Sequence, residues 1–126
     1  MKLLIGGAYQ GKLDYACENY NISRRNIYTC SRDKVEMPEG AGIINNVEEL
    51  VWACLANGRD PMKYLAARKS RWINSVMIVN DISCGLVPMD PKDRIFREAV
   101  GRTTMYLAQE AKEVIRVFAG IGKKLK

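Results

Sequence analysis

Histidine is absent from the whole chain. That excludes a Ser/His/Asp triad, a Cys-His nucleophile pair and any covalent intermediate carried on an imidazole. Cysteine is sparse and scattered. Cys17, Cys30, Cys54 and Cys84 form no Cys-x-x-Cys pair, so neither a structural zinc site nor a disulfide framework is expected. Long apolar runs are missing as well. Leu3, Leu4 and Ile5 stop at two glycines, short of the roughly 7–15 apolar residues of a signal peptide or the roughly 20 of a membrane span. The expectation is a cytoplasmic protein without membrane contact. No repeat, low-complexity tract or linker interrupts the chain, and 126 residues suit one domain, residues 1–126.

What is present is positive charge and an alternation of strand and helix signals. The 20 basic and 14 acidic residues leave a net charge of +6, a balance that suits polyanionic ligands. Arg24/Arg25, Arg68/Lys69/Arg71 and the Lys123/Lys124/Lys126 tail are its clusters. No RNA- or DNA-binding motif accompanies them, so nucleic acid is not the expected partner. Lys2 to Ile5 reads as a buried strand, and a helix follows from Lys12 to Tyr20. Asn26 to Thr29 and Ile43-Ile44 are further short strands, with a polar loop from Ser31 to Gly40 between them. Asn46 is placed to cap a helix starting at Val47, with Glu48 and Glu49 opposing the dipole in its first turn. Pro61 opens another helix, to Ser70. Ser75 to Asn80, rich in valine and isoleucine, reads as a central strand. Phe96, Val100, Thr103, Leu107 and Ala111 recur at helical spacing in a long helix from Asp90 or Pro91. Val114 to Phe118 reads as the last strand. Trp52, Trp72 and the scattered methionines read as packing residues.

Strands alternating with helices imply right-handed crossovers and a mainly parallel sheet. Gly6-Gly7-Ala8-Tyr9-Gln10-Gly11-Lys12 satisfies Gly-x-x-x-x-Gly-Lys between a buried strand and a helix N-terminus, where the phosphate-loop mechanism requires it. Glycines let backbone N–H groups converge on phosphate oxygens, the helix dipole favours negative charge there, and Lys12 reaches the β/γ-phosphates. The next position, Leu13, lacks the hydroxyl that would ligate magnesium. Two readings stay open on the loop alone: a nucleotide-phosphate site made by Gly6 to Leu13, or a glycine turn that joins strand to helix and leaves Lys12 in solvent. The expected fold is α/β, a P-loop NTPase-like (RecA-like) three-layer αβα sandwich.

Further along stands Asn80-Asp81-Ile82-Ser83-Cys84-Gly85-Leu86-Val87-Pro88, then Asp90, Arg94, Phe96-Arg97-Glu98, Gly101 and Leu107-Ala108, closing on Ala119-Gly120 and Leu125-Lys126. This string, with the Gly-Gly-Ala-x-x-Gly-Lys start, resembles the bifunctional adenosylcobinamide kinase/adenosylcobinamide-phosphate guanylyltransferase family of cobalamin biosynthesis. The likeness covers residues 1–18 and about 74–126, with a thinner echo in Ile44 to Glu49. It implies ATP or GTP as ligand, adenosylcobinamide, a corrinoid, as the phosphoryl acceptor, magnesium, and a homotrimer. On the resemblance, Lys12 and Asp81 are the catalytic residues, Asp81 standing where the family has glutamate and orienting the metal or the attacking hydroxyl. A loop carboxylate accepting backbone hydrogen bonds is the other reading of Asp81.

The departures are equally specific. The family histidine that becomes guanylylated has no counterpart, so that transfer is expected to be lost. The family's Asp-Cys-Leu-Thr segment has no match, and Thr104-Met105 replace its Asn-Gln pair. A relative that binds nucleotide without transferring a group is the alternative expectation. Arg94 and Arg97, three apart on one helix, are candidates either to clamp a phosphate or to pair with neighbouring acids.

Overall fold

Leu3 and Leu4 are adjacent and both 0% exposed. In a strand, neighbouring side chains point to opposite faces, so this pair demands a sheet covered on both sides. A computed structural model describing residues 1–82 and 90–126 has that arrangement. β1 (Lys2–Gly6) lies near the middle of a six-stranded sheet in the order β2-β3-β4-β1-β5-β6. β2 is Ile27–Thr29, β3 Ile43–Asn45, β4 Val76–Asn80, β5 Glu113–Phe118 and β6 Ile121–Lys124. β1 to β5 pair in parallel and β6 is antiparallel to β5. β4 holds the central place that its apolar run implied.

One face is covered by α1 (Lys12–Asn19), over Leu4, Ile43, Ile78, Ile115 and Val117. The other carries α2 (Val47–Ala56), α3 (Pro61–Ala67), α4 (Lys69–Trp72) and the long α5 (Pro91–Glu110), over Leu3, Ile44, Met77 and Val114. The architecture is the expected three-layer αβα sandwich of P-loop NTPase type.

Four local readings are corrected. The helix from Pro61 ends at Ala67, with Arg68 at φ −118° before α4 begins. Beyond the break Trp72 is fully buried, and its Nε1 donates to the Leu65 carbonyl at 2.9 Å. Arg24–Asn26 is a short 3₁₀ turn, so β2 starts at Ile27 and not Asn26. Asn46 stands at the N-cap position of α2 but in a left-handed conformation, φ 57°, and its side chain caps nothing. The capping is done elsewhere: Asp60 accepts from Met62 and Lys63 N–H groups, and Asp90 from that of Lys92.

The last correction is β6. Ala119 and Gly120 both have positive φ, 50° and 76°, the two-residue turn whose twist suits a hairpin. The chain therefore folds back, and Lys123 and Lys124, read from sequence as part of a basic tail, lie on an edge strand. Charged lysines on an edge discourage pairing with another sheet.

Candidate functional site

The phosphate loop begins where β1 ends. Gly6 passes so close to β5 that an added Cβ would lie 2.4 Å from the Val117 carbonyl oxygen. Gly11, at φ 85°, is the N-cap of α1 and offers no side chain to the helix, so the first-turn N–H groups open onto the loop. Tyr9 sits at the tip, fully exposed at φ 60°. Gln10 anchors the loop to the β5–β6 turn. Its carbonyl accepts from Gly120 N–H at 2.8 Å and its Oε1 accepts from Ala119 N–H at 2.8 Å. The hollow beside the loop, about 460 Å³, is lined by Ala8 to Asp14 together with Asn45, Asn46, Ile78 and Asn80.

Lys12 is the cation of that hollow, and it is not left in solvent as a plain turn would leave it. It is 5% exposed, and its Nζ donates to the Gly7 carbonyl. Burial pulls its pKa below the usual 10.5, while the charge of Glu48 pushes the other way. Glu48, itself 4% exposed, is held by Asn80, whose backbone N–H and side-chain Nδ2 donate to its two carboxylate oxygens at 3.0 and 2.8 Å. Asn80 Nδ2 also donates to Asn46 Oδ1 at 3.1 Å. Burial raises the Glu48 carboxyl above the usual range, and the bonds from Asn80 oppose the rise. Sequence reasoning placed Glu48 in the first turn of a helix and missed this role. Its partners lie 32 residues away, and no local signal identifies them.

Asp81 and Lys12 line different pockets. Asp81 is exposed; its backbone N–H donates to the Gly6 carbonyl at 2.7 Å, and its side chain borders a second pocket of about 250 Å³. Arg97, Val100, Gly101 and Thr104 form one stripe of α5 along that pocket, facing Ile5 and Gly6 of β1, Arg116 of β5 and Leu125. Asn80 borders both pockets. Arg94 is exposed and lines neither. Thr104 lines the second pocket, where its hydroxyl donates to the Val100 carbonyl at 2.8 Å. Ser83, Cys84, Gly85, Leu86, Val87, Pro88 and Met89, which carry part of the family-like string, lie outside the described residues.

The donor set does not fit a protein-held magnesium ion. Leu13 supplies no oxygen, Asp14 pairs with Arg24, Glu48 has both oxygens engaged by Asn80, and Asp81 lines the other pocket. Among the described residues no group of three or more acidic or cysteine side chains converges on a metal position. None of the helices there is long and apolar enough to cross a membrane.

A central strand ending in a glycine loop, a lysine at the start of the following helix and a parallel sheet together define an α/β protein of the phosphate-loop class. The family follows from the rest of the chain. Residues 51–125 match the family model described as Cobinamide kinase / cobinamide phosphate guanyltransferase, and the chain belongs to that family. Two similar proteins are the Bifunctional adenosylcobalamin biosynthesis protein CobU of Escherichia coli strain K12 and its namesake in Salmonella typhimurium strain LT2. Each is 41% identical over 51 residues, covering 40% of this chain and 28% of the relative. The chain thus spans less than a third of the length of the curated relatives it matches. The family match begins within α2 and takes in α3 and α4, which the sequence likeness did not cover; it leaves out the thinner echo of Ile44 to Glu49 and the phosphate loop, which stands on its own geometry.

Proposed function

We propose that residues 1–126 act as one unit that binds ATP or GTP through Gly6, Gly7, Ala8, Tyr9, Gln10, Gly11, Lys12 and Leu13 and transfers a phosphoryl group to the alcohol of adenosylcobinamide. The observation that carries this reading is Lys12, a buried cation at the N-terminus of α1, behind a loop whose amides open onto a hollow large enough for a polyphosphate. Binding moves Nζ from the Gly7 carbonyl to the phosphate oxygens, where a charge-assisted bond is stronger. Catalysis by such a site is positioning and neutralisation of charge. Guanylyl transfer through a histidine is not part of the proposal, since the chain has none. Asp81 is assigned to the acceptor side, one residue beyond Asn80.

A second reading, nucleotide binding without transfer, is favoured by Leu13 and by the poor fit to magnesium. Calorimetric titration of ATP and GTP, with and without magnesium and alongside Lys12→Ala, tests the common part of both. Binding that vanishes with Lys12→Ala supports the phosphate loop, and a wild-type protein that binds neither nucleotide refutes both readings. Radiolabelled phosphate appearing on adenosylcobinamide then separates the kinase from the binding protein.

A further inference from the structure

We propose that the phosphate loop takes its nucleoside triphosphate without a metal ion. In the metal's place the side-chain NH2 of Asn46, oriented by Asn80 and Glu48, binds the terminal phosphate. The proposal rests on the reading of the loop as a nucleotide site and names the form of the nucleotide it selects.

Magnesium gives up water reluctantly and is ordinarily held by one or two carboxylates besides the phosphate oxygens. Here the carboxylates are committed elsewhere. Asp14 is the acid among the described residues that line the hollow, and it pairs with Arg24. Glu48 accepts from Asn80 at both oxygens. Leu13 packs its side chain against the apolar cluster beneath α1. The C-terminal ends of β3 and β4 bring three neutral amides to the hollow: Asn45, Asn46 and Asn80.

A buried carboxylate fixes the polarity of two of these amides. An ionised carboxylate only accepts hydrogen bonds. Glu48, 4% exposed, therefore sets Asn80 with its NH2 inward, and Nδ2 donates to Glu48 at 2.8 Å. The second hydrogen of that NH2 goes to Asn46 Oδ1 at 3.1 Å. Asn46 must accept there, so its own NH2 is the outer end of the relay. Among the described residues that NH2 has no acceptor, and Asn46 lines the hollow. The backbone agrees with this use. At φ 57° and ψ 50° Asn46 is left-handed and its side chain makes no bond to α2, although an asparagine at a helix start ordinarily makes one.

A donor so placed suits a phosphate oxygen and repels a cation. Its bond to an ionised oxygen is stronger than a bond between neutral groups, and Lys12 and the first-turn N–H groups of α1 supply the remaining positive charge. A triphosphate carrying magnesium would bring a dication against that NH2 and gain no carboxylate ligand.

Calorimetric titration of ATP in excess EDTA and in excess magnesium, at matched ionic strength, tests this. The wild type is expected to bind about tenfold more tightly in EDTA. Asn46→Gly, which suits the left-handed backbone, should lose that factor in EDTA and change little in magnesium. Asn46→Asp keeps the bond from Asn80 but offers the hollow an acceptor; it should reverse the preference, and its binding with magnesium shows that it is folded. Glu48→Gln should also lose about tenfold in EDTA, and no more when added to Asn46→Gly, since both remove the same donor. Wild-type binding as tight in magnesium as in EDTA, no loss in Asn46→Gly, an Asn46→Asp that still prefers EDTA, or additive losses in the double variant overturns the proposal. Binding abolished by Lys12→Ala but indifferent to metal and to Asn46 leaves the nucleotide reading standing and removes this one. A wild type that binds ATP in neither solution overturns both.

Discussion

The two pockets meet at Asn80, at the end of β4, yet their cations are handled in opposite ways. On the phosphate-loop side Lys12 is buried, tied to the Gly7 carbonyl and balanced by Glu48. On the other side Arg97 and Arg116 stand without an ion pair among the described residues. Burying a charge is costly unless it is paired and hydrogen-bonded, so the enclosed lysine requires its internal partners, whereas the water-accessible arginines do not. A phosphate entering the first pocket must displace the existing bond from Lys12 to the Gly7 carbonyl.

The largest expected effect removes the frame of the first pocket. Gly6→Ala places a Cβ 2.4 Å from a backbone oxygen of β5 that cannot step aside, and should cost about 3 kcal/mol, read from urea unfolding. Next comes Lys12→Ala, expected to weaken ATP and GTP about 100-fold in calorimetry while leaving the arginine pocket intact. Gln10→Ala removes the side-chain bond to Ala119 and should cost about 1 kcal/mol, with faster hydrogen exchange at the Ala119 amide.

The smallest effect concerns pH. The pKa of Lys12 in the folded protein lies below its unfolded value of 10.5, so between the two values unfolding takes up a proton and stability rises with pH. Lys12→Met is therefore expected to be more stable than the wild type at neutral pH, by a margin that narrows as pH climbs toward 10.5. Equal margins across that range, measured by thermal unfolding, would show that Lys12 keeps its ordinary pKa.

The parts of this comparison differ in how far they could be read from sequence. β1, the glycine loop, α1, β4 and the start of α5 were legible because each is written in neighbouring residues: an apolar run, a turn, a proline at a helix start. The arginine pocket was half legible. Helical spacing put Arg97 on a face of α5, but Arg116 comes from β5 and Leu125 from beyond β6, so only the sheet order brings them together. Glu48 was invisible because its bonds go to Asn80, and Asn46 was misread because its side chain is spent on that same residue. β6 was missed because Ile121-Gly122-Lys123-Lys124 has no apolar alternation; its place depends on the Ala119-Gly120 turn and on Tyr15, which sits where a side chain at Gly122 would be. The break at Arg68 follows from the burial of Trp72, a demand of the core and not of local propensity.

The bond from Gln10 to Ala119 joins residues 109 apart. During synthesis the glycine loop leaves the ribosome early, while the turn that anchors it is made roughly 5 to 20 seconds later. β5, the strand that crowds Gly6, also arrives late. Until then a nascent chain has a glycine segment and a lysine but no rigid cradle, so the proposed capture of nucleotide requires the chain as far as the β5–β6 turn and cannot assist the folding of the segments before it.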